Sequence, residues 1–273
     1  MQELGLRLRE MRHDAGINGS KMASLTGWNK SKVTRLELGQ TRPSVADLRA
    51  YCTHAGALDQ LPDLTAKLHH LEAAYVEWRR MLSAGTKRGQ QESLRLARQT
   101  KTVRAFQPAV IPGLLQTAEY AQAVLRDHVA FLGIPDDVDA GVSLRLERQE
   151  TLYRGDHRAH MIIGEQALRA TVGGNEVMVG QLDRLLAVMG LPRAVLGIIK
   201  TEDIPVTAAT NFVIFDDRLV TVETVTAELT ITQPSEISLY DALFQTLTLR
   251  AIYGEEARSL ITETLAARTD GTL

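Results

Sequence analysis

The sequence predicts a fold that is mainly α plus α+β: a helical N-terminal domain followed by an α+β domain with a small, mainly antiparallel sheet. Three observations carry that expectation. The first 56 residues read as short amphipathic helices separated by Gly-bearing turns, β-branched runs cluster after residue 160, and the charge changes sign along the chain. Residues 1–104 hold 18 Lys+Arg against 10 Asp+Glu, and residues 105–273 hold 13 against 23, so a net charge of −2 conceals a basic first third and an acidic remainder. A basic segment suits an anionic polymer, and the acidic remainder does not.

Leu4, Leu8 and Met11 recur at helical spacing, and Gly16 stops that first helix. Asn18 is the N-cap of a second helix, from Ser20 to about Leu25, which Gly27 ends. Asn29 caps a third, with Val33 and Leu36 turned inward and Gly39 as its close. Beyond Arg42-Pro43, Ser44 and Asp47 have the spacing of a capping box and open a fourth, with Leu48, Tyr51 and Cys52 on one face. Residues 61–104 are expected to continue as helix, with Leu64, Leu68, Leu71, Tyr75, Trp78 and Leu82 as one apolar stripe. Gly85–Gly89 is the best linker candidate, and a further helix from Gln91 to Phe106 sets Arg95, Arg98, Lys101 and Arg104 on largely one side, a row suited to backbone phosphates.

From Pro108 the texture changes. A Pro-Gly turn in "IPGLLQT" precedes a helix capped near Thr117, another helix covers Asp136 to about Tyr153, and one more runs from Glu176 to Met189. The β-branched runs are "HMIIG" at 160–164, "AVLGIIK" at 194–200, "FVIF" at 212–215, "LVTVETV" at 219–225 and "LTITQ" at 229–233. The last three are closely spaced, with Asp216-Asp217-Arg218 as a turn, and predict an antiparallel meander. Two helices, about Ser235–Tyr253 and Glu255–Ala267, finish the chain. The domains expected are residues 1–60, a helical connector over 61–91, and 92–270.

Several function classes have little support. A lone Cys52 permits no internal disulfide and no cysteine metal cage, and neither an apolar leader segment nor a run of 18 apolar residues occurs, so a cytoplasmic protein with no membrane partner is expected. His157 and His160 have H-x-x-H spacing, but no further ligand is close and no metal is expected. Glu165 and Glu223 could be paired carboxylates with Arg148 as an anion clamp, although a structural ion-pair network is the commoner fate of such residues. Gly173-Gly174-Asn175 reads as a turn and cap, and no phosphate loop or nucleophile elbow is present. Leu114, Leu115 and Tyr120 read as buried packing before they read as a binding surface. The expectation is therefore a protein that is not an enzyme, with no cofactor.

The stretch "GWNKSKVTRLELG", Gly27 to Gly39, carries the main chemistry. A helix lying in a DNA major groove presents its N-terminal residues to base edges while its other face packs on its own domain. Val33 and Leu36 supply the inner face. Lys30, Ser31 and Lys32 occupy the first turn, with Thr34 and Arg35 one turn on. Lys and Arg match guanine O6/N7, and hydroxyls near the helix start match phosphates. An amphipathic helix with a solvated polar face carries the same residues, so the stretch alone leaves both readings open.

Residues 4–56, with "LRLREMRHDAGINGSKMASLTGWNKSKVTRLELGQTRPS", resemble the XRE (Cro/repressor-type) helix-turn-helix family, whose pattern includes the Arg of the first helix, the Gly of the turn and Val-x-Arg-x-Glu-x-Gly. The resemblance implies a five-helix DNA-binding domain in which Asn29 caps the recognition helix, Lys30, Lys32 and Arg35 read bases, and Ser31 and Arg42 contact the backbone. It also implies an internal ion pair between Arg12 and Glu37. Gly19 and Thr26 depart from the pattern, standing where the family usually has a backbone-contacting glutamine and a leucine. Residues 92–267, with "VIPGLLQTAEYAQAVL", "RLERQETL", "IIGEQALRATVGGNEVMVGQLDRLL" and "FVIFDDRLVTVET", resemble the domain of unknown function that follows such a helix-turn-helix in actinobacterial regulators. That implies a sequence-specific transcriptional regulator acting on double-stranded DNA, autoregulatory and paired with a small cognate protein; because one short recognition helix reads few base pairs, a homodimer at a palindromic operator is expected. Two alternatives stay open: an antitoxin-like protein that mainly sequesters its partner, and a sensor answering to a small-molecule effector.

Overall fold

The computed structural model describes residues 2–41, 43–70, 75–77, 85–205, 207–208, 210–224 and 227–272. The chain divides into two compact units, Met1–Ala74 with Ile231–Ser238, and Tyr75–Thr230 with Leu239–Leu273.

The first unit contains helices α1 (Gln2–Asp14), α2 (Gly19–Thr26), α3 (Lys30–Glu37), α4 (Val45–Ala55) and α5 (Leu61–His70). The starts of α2, α3 and α4 are set by side chains that accept otherwise orphaned backbone N–H groups. Asn18 accepts from Lys21 N at 2.9 Å and Asn29 from Lys32 N at 2.7 Å. Ser44 and Asp47 bond each other's backbone N–H groups reciprocally. Leu4, Leu8, Met11, Met22, Val33, Leu36, Leu48, Tyr51 and Leu64 meet in one buried core, each large apolar side chain contributing about 1.5–3 kcal/mol through burial. Gly5 lets α1 press directly on α3, because a Cβ there would lie 2.6 Å from the carbonyl oxygens of both Leu36 and Glu37.

The expected helix over 61–104 does not run through. A strand, β1 (Tyr75–Glu77), follows α5, while Leu71, Trp78 and Leu82 lie outside the described residues. The segment read as a linker starts a helix, α6 (Lys87–Gln99), whose first turn is held by Asp137: the carboxylate accepts from Thr86 Oγ1 at 2.7 Å and Lys87 N at 3.0 Å. α6 ends at Gln99 and the chain re-enters as strand β2 (Thr102–Gln107), so Arg104 stands on a strand. The Arg spacing mimicked a continuing helix, whereas Val103, Ala105 and Phe106 find burial between neighbouring strands.

The second unit continues with α7 (Ala118–Leu132), α8 (Val138–Gln149), β3 (Arg158–Gly164), α9 (Gln166–Arg169), α10 (Asn175–Val188), β4 (Ala194–Ile199), β5 (Phe212–Phe215), β6 (Leu219–Glu223) and β7 (Ala227–Ile231). Two helices, α11 (Pro234–Arg250) and α12 (Gly254–Thr269), follow. The sheet is neither small nor mainly antiparallel: six strands from β2 to β7, with β1 at one edge, stand in the order β1-β7-β6-β5-β2-β3-β4. β2 pairs with β3 and β3 with β4 in parallel, whereas β2 and β6 both run antiparallel to β5. Parallel neighbours need crossovers of a dozen or more residues, which the helices between β2, β3 and β4 supply. The near-continuous apolar runs of β3 and β4 are the mark of strands covered on both faces.

Register places Met161, Ala105, Val213 and Thr221 in one row across β3, β2, β5 and β6. On the other face Phe106, Phe212 and Ile214 are buried, and Phe212 stacks edge-on to Tyr240 and Phe244 of α11. Near the end of α12, Arg268 is buried, and its Nη2 donates to the carbonyls of Leu168, Arg169 and Ala170 at 3.2, 2.6 and 3.0 Å. Asn175 donates to the Arg268 carbonyl at 3.0 Å. Among the described residues no helix is long and apolar enough to cross a membrane.

Candidate nucleic-acid interface

α3 presents a buried face of Val33 and Leu36 and an exposed face of Lys30, Ser31, Thr34 and Arg35. Asn29, also exposed, caps the helix and accepts a second hydrogen bond from Ser31 Oγ at 2.9 Å. Thr34 Oγ1 donates back to the Lys30 carbonyl at 3.1 Å. Lys30 and Arg35 have no ion-pair partner among the described residues, so two cationic side chains, one from each turn, extend from one face into water. Lys32 is placed differently. Its Nζ lies 2.6 Å from Asp47 Oδ1 and 4.2 Å from the centroid of the Trp28 ring, which ties the ammonium to its own unit. Burial works against the Asp47 charge, yet hydrogen bonds from Lys32 and Ser44 hold that carboxyl below its ordinary value. Arg42, expected at the DNA backbone, lies outside the described residues.

The orientation of α3 is fixed from below by Arg12 and Glu37. Arg12 Nε and Nη2 donate to the two Glu37 carboxylate oxygens at 2.7 and 2.9 Å, and Nη1 donates to the Ile17 carbonyl at 2.8 Å. Tyr51 Oη donates to the same carboxylate from α4. Both charged side chains are 8% exposed. Burial disfavours the Glu37 charge, but the bonds from Arg12 and Tyr51 prevail and the carboxyl titrates below its usual range, while Glu37 in turn raises Arg12. A bidentate pair in this setting sets the angle between helices as well as contributing energy. At the two departures from the family pattern, Thr26 satisfies its hydroxyl by donating to the Met22 carbonyl at 2.8 Å, and Gly19 is the first residue of α2 with open space around it.

The arginine row expected beyond this helix is dispersed. Arg95 pairs with Glu92, Arg98 with Glu147, and Arg104, on the strand, with both Asp217 and Asp241. Each cation meets a carboxylate of its own unit, which leaves little attraction for phosphate.

In the second unit Leu114, Leu115 and Tyr120 are buried. His157 Nδ1 lies 2.6 Å from the Thr100 carbonyl, and His160 Nε2 lies 3.1 Å from the Tyr253 hydroxyl. Among the described residues no group of three or more His, Cys, Asp or Glu side chains could hold a metal ion. Glu165 bonds Arg169 at 2.7 Å and does not meet Glu223, whose carboxylate accepts from Asn211 at 3.2 Å. Glu223 and Arg148 instead line one cavity of about 470 Å³, floored by the row Met161, Ala105, Val213 and Thr221. Sequence reasoning missed Gln90, Gly113 and Arg145, which line it too. The i, i+3 and i+4 spacing of Arg145, Arg148 and Gln149 on α8 is the signal that one helix face is polar where packing calls for apolar residues.

The family model described as "Helix-turn-helix domain" matches residues 3–68, and the one described as "Domain of unknown function (DUF5753)" matches residues 90–263. No curated protein matches the chain. Among solved structures it resembles TrmBL2, an archaeal chromatin protein whose structure shows a novel mode of DNA binding, at 8% identity over 87% of this chain and 88% of that one, with a TM-score of 0.33.

Proposed function

The chain belongs to the DUF5753 family, and on that premise, with a helix-turn-helix domain ahead of the family's own domain, we propose that it is a sequence-specific DNA-binding transcriptional regulator. One observation carries the reading: Lys30 and Arg35 stand exposed, with no ion-pair partner among the described residues, on successive turns of a helix that Asn29 caps and the Arg12–Glu37 pair holds in place. In this reading Lys30 and Arg35 contact base edges, while Ser31, Thr34 and the N-terminal backbone of α3 meet phosphate. Lys32, engaged with Asp47 and Trp28, steadies the helix start and contributes to the local positive field. A single short recognition helix reads few base pairs, which favours a homodimer on an inverted repeat. Autoregulation and a small cognate protein partner rest on the resemblance of residues 92–267 to the second domain of actinobacterial regulators. The chain is read as a binding protein and not an enzyme, a reading supported by the separation of Glu165 from Glu223 and by the engagement of His157 and His160 in hydrogen bonds.

The test is recovery of genomic DNA by the purified protein beside a Lys30→Ala, Arg35→Ala double variant at matched salt. A short inverted repeat enriched by the wild type and lost by the variant is expected, since each base contact is worth about 1–3 kcal/mol. Recovery of the same repeat by both proteins, or of unspecific DNA by both, would overturn the assignment.

A further inference from the structure

The cavity of the second unit has a chemistry that DNA binding does not use. Its floor is the row Met161, Ala105, Val213 and Thr221, apolar except for the Thr221 hydroxyl, and Leu96, Ile111 and Leu125 add apolar walls. Two arginines from consecutive turns of α8 line it as well. Arg145, 9% exposed, donates through Nη1 to Gln116 Oε1 at 2.7 Å and through Nε to Gln90 Oε1 at 3.2 Å. Gln116 is itself pinned, donating to the Ile111 carbonyl at 2.7 Å. The partners that fix Arg145 are thus neutral amides. Arg148 is half-buried, its Nε is wholly shielded, and its guanidinium makes no hydrogen bond or ion pair among the described residues. Gly113 gives that guanidinium its room: a Cβ there would collide with Arg148 Nη2 and touch Arg145 Cδ at 3.6 Å.

Taking a charge out of water without a partner is costly, and two like charges side by side raise the cost. Burial, and then the charge of Arg148, disfavours the protonated Arg145; burial does the same to Arg148. Glu223 offsets both only at a distance. The other carboxylates lining the cavity do not answer the need. Glu92 is bonded to Arg95, and Glu228 is half-buried with its carboxyl pushed up to about 7 by burial and by Glu223 and Glu92. A guanidinium fork matches carboxylate and phosphate oxygens in a bidentate way, and the cavity volume is that of a small-molecule site.

We propose that this cavity binds a small organic anion, a carboxylate or phosphate head on an apolar body, with Arg148 and Arg145 holding the head and the sheet row Met161–Ala105–Val213–Thr221 receiving the body. Gly113 is the residue that admits the head, and Gln90 and Gln116 hold Arg145 without neutralising it. The proposal does not depend on the DNA-binding reading, and its test reads ligand binding alone.

The full chain is titrated with octanoate, phenylacetate and phenyl phosphate, with octanol and inorganic phosphate as controls, and followed by thermal unfolding and calorimetry. At least one of the three apolar-bodied anions is expected to raise the Tm in proportion to the logarithm of its concentration, with octanol and inorganic phosphate giving much smaller shifts. Which head prevails separates carboxylate from phosphate recognition. Arg148→Met is expected to weaken the best probe about tenfold or more, and to leave the ligand-free Tm equal to or a few degrees above that of the wild type, because an unmatched charge has been removed. Arg148→Gln provides the same comparison in a polar side chain. The proposal is overturned if no anion shifts the wild type at about 5 mM, a concentration corresponding to roughly 3 kcal/mol of binding. Unchanged binding in both variants also overturns it, as does a lowered ligand-free Tm in both, which would make Arg148 a structural residue.

Discussion

Arg12 in the first unit and Arg148 in the second are both drawn away from water, and their surroundings differ in one respect. Arg12 meets a carboxylate through two nitrogens and a backbone carbonyl through the third, and the carboxylate is completed by Tyr51. Arg148 meets no acceptor among the described residues, and the residue that faces it, Gly113, is the smallest available. A buried charge whose every donor is answered by its own unit belongs to the fold. One left unanswered beside a cavity is held for something that arrives from outside.

The first way to break that contrast is to make Arg12 resemble Arg148. Glu37→Ala leaves a buried guanidinium without its carboxylate and is expected to cost about 3–5 kcal/mol, seen as lost hydrogen-exchange protection across α1, α3 and α4 in the full chain. Protection unchanged from the wild type would show that the pair sets no part of the stability of this unit. Acid provides the same perturbation without a mutation. The folded Glu37 carboxyl titrates below its unfolded value, so its contribution is complete above the ordinary carboxylate pKa of about 4.3 and is lost as pH falls through the depressed folded value. Glu37→Gln should remove that acid-side slope from the exchange of α3, and an identical slope in the variant would assign it to another group.

A smaller effect is expected where backbone meets backbone. Gly5→Ala puts a methyl 2.6 Å from two carbonyl oxygens of α3, which neither rotamer change nor a flexible neighbour can relieve, and should cost about 1–3 kcal/mol by urea denaturation. A neutral result would mean that α1 slides over α3 without consequence for packing. The smallest effect sharpens the division of labour on α3 itself. Lys32→Ala removes a half-exposed ion pair and should change stability by about 1 kcal/mol or less. Its loss of operator affinity should fall well below that of Arg35→Ala in a salt-matched binding assay. Equal losses would place the Lys32 ammonium on DNA and its contacts with Asp47 and Trp28 in the free state only.

Much of the first unit is legible in the sequence because its signals are local. Asn18, Asn29, Ser44 and Asp47 act within three residues of their own positions, and caps of that kind are readable without a fold. Gly5 gives no such signal, since what forbids a side chain there is a helix thirty residues away. In the second unit the strands from 160 onward stand where β-branched runs mark them, and Asp216 turns the chain between β5 and β6. The sheet type was not legible, because strand direction follows from which helices cross between strands and no residue records it. β2 was hidden for a related reason: Arg95, Arg98, Lys101 and Arg104 keep helical spacing across the end of α6, while the partners of the strand lie some sixty residues away in β3 and more than a hundred in β5. Of the cavity arginines, Arg148 is legible as a candidate anion clamp, whereas Arg145 shows only as part of a polar face on α8 that an exposed helix would also show.

Arg268 carries a consequence for how the chain tolerates change. Its guanidinium closes the carbonyls of Leu168, Arg169 and Ala170, nearly a hundred residues earlier, and its own carbonyl receives the Asn175 amide. A fusion partner or affinity tag joined after Asp270 leaves this clasp alone. A stop codon in place of Arg268, or a protease cut before it, orphans all three peptide oxygens, that of Leu168 buried and the other two partly so, and should therefore behave like a core mutation.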